Sequence, residues 1–351
     1  MKTTPSAGKA ATRADVARLA GVSTAVVSYV VNDGPRQVAP QTRERVLHAI
    51  NQLHYRPNAS ARALKTGSSK MLGVVVPSIV NPFHAEFVDY IDRAASKAGY
   101  SLMLAATRED PEREGEVFRS LIDRRVDGLI VLAFLFDTSL YALDYPLIPR
   151  VMMERSVGSP GQTTLGPDEL AGGQMATEHL LGHGHSRIAM IMGHQRRTDR
   201  RREGWEGVLS AHGLSSDLFA ETAWSRHGGY RGANELLDRD DPPTAFFCAS
   251  DLIAVGALQA IRERGMRVPE DIAVVCYDGT TESAYAWPPL TVVQQPFLDM
   301  AGTAVGLIES GDATRETHET FPVELVIRES CGCHLDGETT ALPDDDPERP
   351  H

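Results

Sequence analysis

The side chains of Thr24, Ala25, Ser28, Tyr29 and Asn32 share one face of a helical pattern, and their chemistry suits contact with a polar surface. Thr24 can donate or accept at a base edge or touch a thymine methyl, whereas Ala25 offers apolar contact alone. Thr12, Ser23, Ser28 and Asn32 suit phosphate oxygens, contacts that position a protein without reading sequence. Ser28 and Asn32 equally suit capping or solvating a helix end. The elements that must position these groups lie in TRADVARLAGVSTAVVSYVVN, residues 12–32. Ala14, Val16, Ala17, Leu19 and Ala20 give a first helix its apolar face, Gly21 breaks it, and Ser23 can cap the second. Val26, Val27, Val30 and Val31 recur at three- and four-residue spacing, so the second helix packs on the first. Helix, glycine turn, helix is the unit that lays its second helix in the DNA major groove. An ordinary amphipathic helix pair has the same pattern, so the flanking sequence must decide.

A third helix follows over 41–53, opened by Pro40, with Val46, Leu47, Ile50 and Leu53 on one face. Tyr55 and Pro57 end it, and Asn58 can cap a further short helix in 58–70, where Ala59, Ala61, Ala63 and Leu64 precede TGSS. A helix that short is marginal in water and is expected to order only when docked. Charge then separates this head from the rest. The whole chain carries −12, which by itself argues against a nucleic-acid partner. The first 70 residues, however, hold 11 Lys+Arg against 3 Asp+Glu, a balance of +8. The remaining 281 hold 24 against 44, a balance of −20. A basic head on an acidic body is expected of a DNA-binding domain joined to a sensing domain.

The body alternates strand and helix patterns. LGVVVPSI, SLMLAAT and DGLIVLAF read as buried strands, with helices near 83–98 and 112–125 between them. RIAMIMG, TAFFCAS and DIAVVCYD repeat the pattern, with helices near 169–182, 202–213, 229–238 and 251–265. Such alternation predicts two consecutive parallel sheets covered by helices, hence two lobes with a ligand cleft at the strand C-terminal ends. At 351 residues, with 42% hydrophobic and 6% aromatic residues, the chain is long enough for two or three domains. It has no run of about 18 apolar residues, and MKTTPSAGKAATR lacks an apolar signal core. A cytoplasmic location is therefore expected, on the nucleoid when bound to DNA, with no membrane partner. Cys248 and Cys276 fall in apolar strand runs and read as buried thiols. Cys331 and Cys333, in SCGCH, suggest a metal site with His334. A structural zinc site needs four ligands, though, and the sequence shows no second cluster, so no metal is expected.

The ordered motifs DVARLAGVS, VVSYVVN, TRERV, YRPN, ARALKTG, NPF, GHGHSRIAMI and SDLIAVGALQAIRERGMRVPEDIAVVCYDG spread over residues 12 to about 335. Together they resemble a full-length member of the lactose-repressor (LacI/GalR) family of bacterial transcription regulators. The resemblance implies an N-terminal three-helix helix-turn-helix head with a hinge helix. An α/β periplasmic-binding-protein-like body of two doubly wound parallel-sheet lobes should follow. The expected domains are a disordered leader at 1–11, the DNA-binding head at 12–57 and the hinge at 58–70. The first lobe would take 71–168 and 297–322, the second 169–296 and 323–335, and a disordered acidic tail 336–351. The tail has no leucine heptads, so a homodimer rather than a coiled-coil tetramer is expected.

The resemblance also implies residue roles. Thr24, Ala25 and Tyr29 would touch base edges, and Leu64 would wedge into a central minor-groove step and kink the duplex. Arg62 and Lys65 would approach phosphates or the minor groove, and Asn58 belongs to the same DNA-contacting set. Tyr29 stands where Arg is common in the family, which removes a bidentate grip on guanine. Val26 replaces a frequent Thr. A standard family operator is therefore not implied.

For the cleft, Asn81 and Phe83 in NPF follow the first strand. Phe83 suits either stacking on a sugar or base, or core packing at a helix start. Glu154 follows the VMM strand, where the family often has Asp against ligand hydroxyls. Arg201 matches the family's cleft arginine, with Arg202 beside it in a basic run. Trp224 offers an aromatic platform, Asp278 a carboxylate for vicinal hydroxyls, and Gln295 a partner at the crossover. Ser250 and Asp251 stand where Asn-Asp is common, which puts a simple galactoside in doubt. The set suits a sugar, with a purine or nucleoside as the alternative.

Two other classes compete. A sugar-binding protein without regulatory role would share the body but need a signal peptide and no basic head. An enzyme would need a nucleophile or cofactor motif, and no P-loop, GxGxxG or GxSxG turn occurs. The GHGHS histidines precede a strand rather than forming HExxH and read as polar loop residues. No catalytic residue and no cofactor is expected. The expectation is a homodimeric repressor on a roughly palindromic operator, controlled by a small molecule acting as inducer or corepressor.

Overall fold

The computed structural model describes residues 11–31, 34, 36–56, 63, 67–132, 148–153, 161–194 and 199–333. The chain divides into two compact units, Met1–Ser69 and Lys70–His351. Residues 1–10 of the leader, the tail, and most of the hinge expected at 58–70 lie outside the described residues, while Ala11, expected in the leader, packs partly buried against the core of the head.

In the first unit, α1 (Arg13–Ala20) starts at Thr12, whose side chain and that of Asp15 cap each other's backbone N–H groups. It ends at Gly21, in the left-handed region with φ 64°. α2 (Thr24–Val31) opens on Ser23, whose Oγ accepts from the Val26 N–H at 3.3 Å. α3 (Pro40–Gln52) begins on Pro40, where the missing N–H costs nothing. Val16, Ala17, Ala20, Val27, Val30, Val46, Ala49 and Tyr55 form the shared core. Three expected core residues stand outside it: Ala14 is exposed, Leu19 is 47% exposed and Leu47 44%. Short helices crossing one another bury only a narrow stripe each, and Ala49 rather than Leu47 faces the contact.

The second unit holds two six-stranded sheets. The first contains β1 (Met71–Val76), β2 (Ser101–Ala106), β3 (Gly128–Leu132), β4 (Arg150–Met153) and β5 (Thr163–Pro167). These run parallel, in the spatial order β5-β4-β3-β1-β2. α4 (Pro82–Lys97) and α5 (Pro111–Asp123) connect them. The second sheet contains β6 (Ile188–Gly193), β7 (Phe219–Thr222), β8 (Ala245–Cys248), β9 (Ala273–Asp278) and β10 (Thr291–Gln294), also parallel, in the order β10-β9-β8-β6-β7. Its helices are α6 (Glu169–Gly182), α7 (Arg201–Ala211), α8 (Arg226–Leu237), α9 (Asp251–Glu263) and α10 (Thr281–Tyr285).

The chain then returns. α11 (Phe297–Ser310) packs Phe297, Met300, Ala301, Ala304, Val305 and Ile308 into the core beneath the first sheet. β11 (Thr317–Phe321) adds a parallel edge to that sheet, and β12 (Glu324–Val326) an antiparallel edge to the other. The central strands are buried along their length, as parallel strands covered on both faces must be. β2 is an exception to the expected burial. It is an edge strand, and Leu104 on it is 46% exposed.

Candidate effector cleft and nucleic-acid interface

On α2, Ser23, Thr24 and Ala25 are exposed and Ser28 and Tyr29 half-buried, while Val27 and Val30 point into the core. The Tyr29 carbonyl accepts from the Gly34 N–H at 3.1 Å, so the chain beyond the helix folds back on this turn. Thr12 differs from its expected role. Its Oγ1 donates to Asp15 Oδ2 at 2.6 Å and accepts from the Asp15 N–H at 3.3 Å, which commits the hydroxyl to the cap rather than to a phosphate. Asn32, Asn58, Arg62, Leu64 and Lys65 lie outside the described residues.

The strand order of each sheet reverses once, between β1 and β3 and between β6 and β8, and ligands of such folds bind beyond the strand C-terminal ends at these points. A cavity of about 320 Å³ lies there. Asn81, Phe83, Arg201, Trp224, Ser250, Asp278 and Gln295 all line it. Each is placed by a local device. Asn81 caps α4 by accepting from the Phe83 N–H at 3.1 Å, and Ser250 caps α9 by accepting from the Ile253 N–H at 3.2 Å. Trp224 lies flat over Gly193, where a Cβ would come within 2.2 Å of the indole. Its Nε1 donates to the His194 carbonyl at 3.2 Å. Phe83 is only 3% exposed and meets Phe297 edge-on at 5.5 Å, so most of its ring serves the core.

Arg201 is the electrostatic centre. Nη2 lies 2.5 Å from Asp199 Oδ2 and 3.6 Å from Glu169 Oε1, Nη1 lies 4.0 Å from Asp278 Oδ1 and donates to the Ala249 carbonyl at 2.8 Å. The guanidinium sits between the Trp224 and Tyr277 rings, at 5.0 and 4.9 Å from their centroids. Burial opposes its charge, but Asp199, Glu169 and Asp278 outweigh burial and hold it firmly protonated. Glu169, Asp199, His84, Glu109 and Arg226 also line the cavity and were not expected there. Asp199 carried a signal, since it stands two residues before Arg201, but its basic neighbours made the run look like solvated surface.

Asp251 does not line the cavity. Its carboxylate turns inward, accepting from the Thr280 N–H at 2.6 Å, the Thr280 hydroxyl at 2.8 Å and the Cys276 thiol at 3.0 Å. Ser250 occupies the cap, which places the next side chain on the buried side of α9. Burial pushes the Asp251 carboxyl up to about 6, despite those bonds. Glu154 lies outside the described residues.

A second ligand cluster for Cys331 and Cys333 does exist in space. His179 and His183, far away in sequence, bring imidazole nitrogens to within 4.8 Å of both sulfurs. His183 belongs to the GHGHS run that reads as a polar loop.

Residues 12–58 match the family of bacterial regulatory proteins, lacI family, and residues 177–331 match the periplasmic binding protein-like domain. The HTH-type transcriptional repressor PurR of Mannheimia succiniciproducens is 36% identical over 330 residues, spanning 91% of this chain and 98% of that protein. PurR of Pasteurella multocida is 36% identical over 335 residues, spanning 93% and 100%. Among solved structures, the complex of the transcriptional regulator CelR with cellobiose is 34% identical with a TM-score of 0.69, covering 91% of this chain and 99% of that one. The lac repressor dimer bound to operator and the anti-inducer ONPF is 29% identical with a TM-score of 0.80, covering 92% and 99%. The chain belongs to the lacI family of bacterial regulatory proteins: it is a DNA-binding transcriptional repressor and not an enzyme.

Proposed function

We propose that this repressor binds a roughly palindromic operator as a homodimer and is controlled by a neutral polyhydroxylated ligand, a sugar, in the cavity between its lobes. One observation carries the ligand assignment. Gln295 Oε1 is buried at the cavity with no hydrogen-bond partner among the described residues, while the same amide's Nε2 donates to Asp278 Oδ1 at 2.9 Å. A buried acceptor beside a carboxylate calls for hydroxyl donors, and the Trp224 ring supplies the apolar face a sugar ring needs. Charge narrows the class. Among the described lining residues, Glu109, Glu169, Asp199 and Asp278 outnumber Arg201 and Arg226, which disfavours phosphorylated or carboxylated effectors.

The same reading assigns Ser23, Thr24, Ala25, Ser28 and Tyr29 to the operator, with the hinge residues Asn58, Arg62, Leu64 and Lys65 in the minor groove. Ligand would change lobe closure and so the ordering of the hinges. It is an inducer if the unliganded arrangement orders them and a corepressor if the liganded one does. Operator binding places the protein in the cytoplasm, on the nucleoid.

A purine is the second reading, favoured by the 36% identity to PurR repressors. Trp224 and Phe83 would then stack on the base. Thermal stability against neutral sugars, sugar phosphates, nucleobases and nucleosides decides, because a ligand that binds only the folded state raises the melting temperature. A neutral sugar alone should do so. Stabilisation by a nucleobase alone replaces the sugar reading, and stabilisation by none of the panel overturns the cavity assignment.

A further inference from the structure

The C-terminal end of the second lobe is built more firmly than an edge strand requires. Arg328 donates through Nη1 to the Leu290 carbonyl at 2.8 Å, and Ser330 Oγ donates to the Val274 carbonyl at 2.6 Å while accepting from the Thr291 N–H at 2.8 Å. Cys331, 1% exposed, receives the Thr291 hydroxyl at 3.1 Å. Gly332 follows in the left-handed region at φ 90°, a conformation that strains any other residue, and turns the chain so that the Cys333 thiol faces the same space as Cys331. On the other side of that space stands the end of α6. His179 is in its last turn and His183 is its C-cap, four residues on and so on the same face. His183 Nε2 lies 3.1 Å from Cys333 Sγ, and His179 Nε2 lies 3.8 Å from the same sulfur.

The geometry points to a four-ligand metal site, formed by His179, His183, Cys331 and Cys333, for a borderline-soft divalent cation, zinc. All four donor atoms lie within 4.8 Å of one another. A tetrahedral zinc with bonds of about 2.3 Å to sulfur and about 2.0 Å to nitrogen has ligand–ligand edges of about 3.3–3.8 Å. Small side-chain rotations therefore close the site, and His183, which is exposed, has room to make them. Two thiolates and two imidazoles form a donor set typical of structural zinc and poorly suited to magnesium or calcium. No disulfide occupies the sulfurs, since both cysteines are free. The site is separate from the effector cavity. Glu169, at the other end of α6, lines that cavity, and His179 is about 15 Å further along the helix. Bound zinc would clip the chain's last described turn, Glu329–Cys333, onto α6.

The test uses the full chain, kept reduced with a phosphine, loaded with zinc chloride and desalted. Metal analysis should find about one zinc retained per chain, the count one tetrahedral site holds. Competition with a chromophoric chelator should show affinity reduced at least about 100-fold in His183→Ala and Cys333→Ser, beyond the cost of an outer-shell change. Both positions are exposed or half-buried, and circular dichroism checks that each variant folds. His185→Ala and His334→Ala should bind as the wild type does. Cobalt in place of zinc should give thiolate charge-transfer absorption that Cys333→Ser abolishes. Failure of the wild type to retain zinc overturns the site. So does retention undiminished in His183→Ala and Cys333→Ser, and loss caused by His334→Ala would reassign a ligand and refute the His179–His183 pair.

Discussion

Gln295 Nε2 and Asp278 Oδ1 meet at 2.9 Å, and the backbones of the same two residues are joined by a bond from the Gln295 N–H to the Asp278 carbonyl at 3.0 Å. This double link holds Asp278 at φ 105°, a conformation that costs about 1–3 kcal/mol outside glycine. Strain retained at the mouth of a cavity fits a carboxylate whose direction matters more than its backbone's comfort. Asp278→Asn keeps the shape and tolerates the conformation, since Asn enters the left-handed region readily. Its amide can also accept from Gln295. The expected loss is therefore confined to ligand, by about 1.5–3 kcal/mol for a hydrogen bond to a charged group, roughly ten- to a hundredfold in affinity. Operator binding without ligand should be unchanged. Fluorescence anisotropy of labelled operator with increasing effector measures both, and an unshifted effector response would remove Asp278 from the contact set.

Arg201 should matter to stability as much as to ligand. Its side chain is 10% exposed, and the carboxylates of Asp199 and Glu169 against it are 3% and 7% exposed. Removing one partner of a buried ion pair leaves uncompensated charge and costs about 3–5 kcal/mol. Arg201→Ala should lose that much in urea unfolding. Arg201→Lys should lose less but not nothing, because an ammonium cannot hold both Asp199 oxygens as the planar guanidinium does through Nε and Nη2. A loss below about 1 kcal/mol in Arg201→Ala would mean that the carboxylates are better solvated than their burial implies.

The parts of the fold legible in the sequence were those in which burial is continuous. β1, β3, β6, β8 and β9 are almost wholly buried runs rich in Val, Ile, Leu, Ala, Met and Phe, with Cys248, Cys276 and Tyr277 among them, as strands covered on both faces must be. β5 was not legible. Its sequence TTLGP looks like a loop, yet it is wholly buried between β4 and β11, where Thr163 and Thr164 donate to the carbonyls of Arg315, just before β11, and of Thr317, at its start, at 2.6 and 3.1 Å. At the cavity, residues at strand ends and helix caps were found from the pattern and the resemblance. Glu169 was missed because its importance comes from Arg201, 32 positions away, which only the fold brings to it, and Asp199 because the basic run around it reads as solvated surface. Asp251 was misplaced for a related reason: adjacency to Ser250 says nothing about which side of a helix start a side chain takes. His179 and Cys333 stand 154 positions apart, a separation no local pattern bridges.

Asp251 gives a pH signature. Its carboxyl is shifted from 3.8 to about 6 by burial, so the folded state binds its proton more tightly than the unfolded chain. The stabilising contribution is complete below the unfolded value of 3.8 and is lost as pH rises through about 6. Asp251→Asn abolishes this dependence, and its weaker bonding to Cys276 adds an offset that does not vary with pH. The variant's melting temperature minus that of the wild type should therefore rise between about pH 4 and about pH 7 and then level off. Other groups titrate alike in both proteins and cancel. A difference that stays flat or falls over this range would show that the Thr280 and Cys276 bonds outweigh desolvation.

Tyr29 should decide the operator. It is half-buried on α2, one turn beyond the exposed Ala25, and its carbonyl is tied to Gly34. A phenol cannot form the two parallel bonds that an arginine makes to guanine O6 and N7, which are worth about 1–3 kcal/mol of base discrimination. Selection of binding sites from random DNA with Tyr29→Arg should therefore enrich guanine at one position in each half-site where the wild type shows weaker preference. The salt dependence of binding to a fixed site should steepen by about one phosphate-equivalent charge at most if the new guanidinium slips to the backbone, and stay level if it reads the base. Steepening without guanine enrichment would place Tyr29 beside a phosphate. An unchanged consensus and an unchanged salt slope would place it off the DNA altogether, leaving Thr24 and Ala25 to read the half-site.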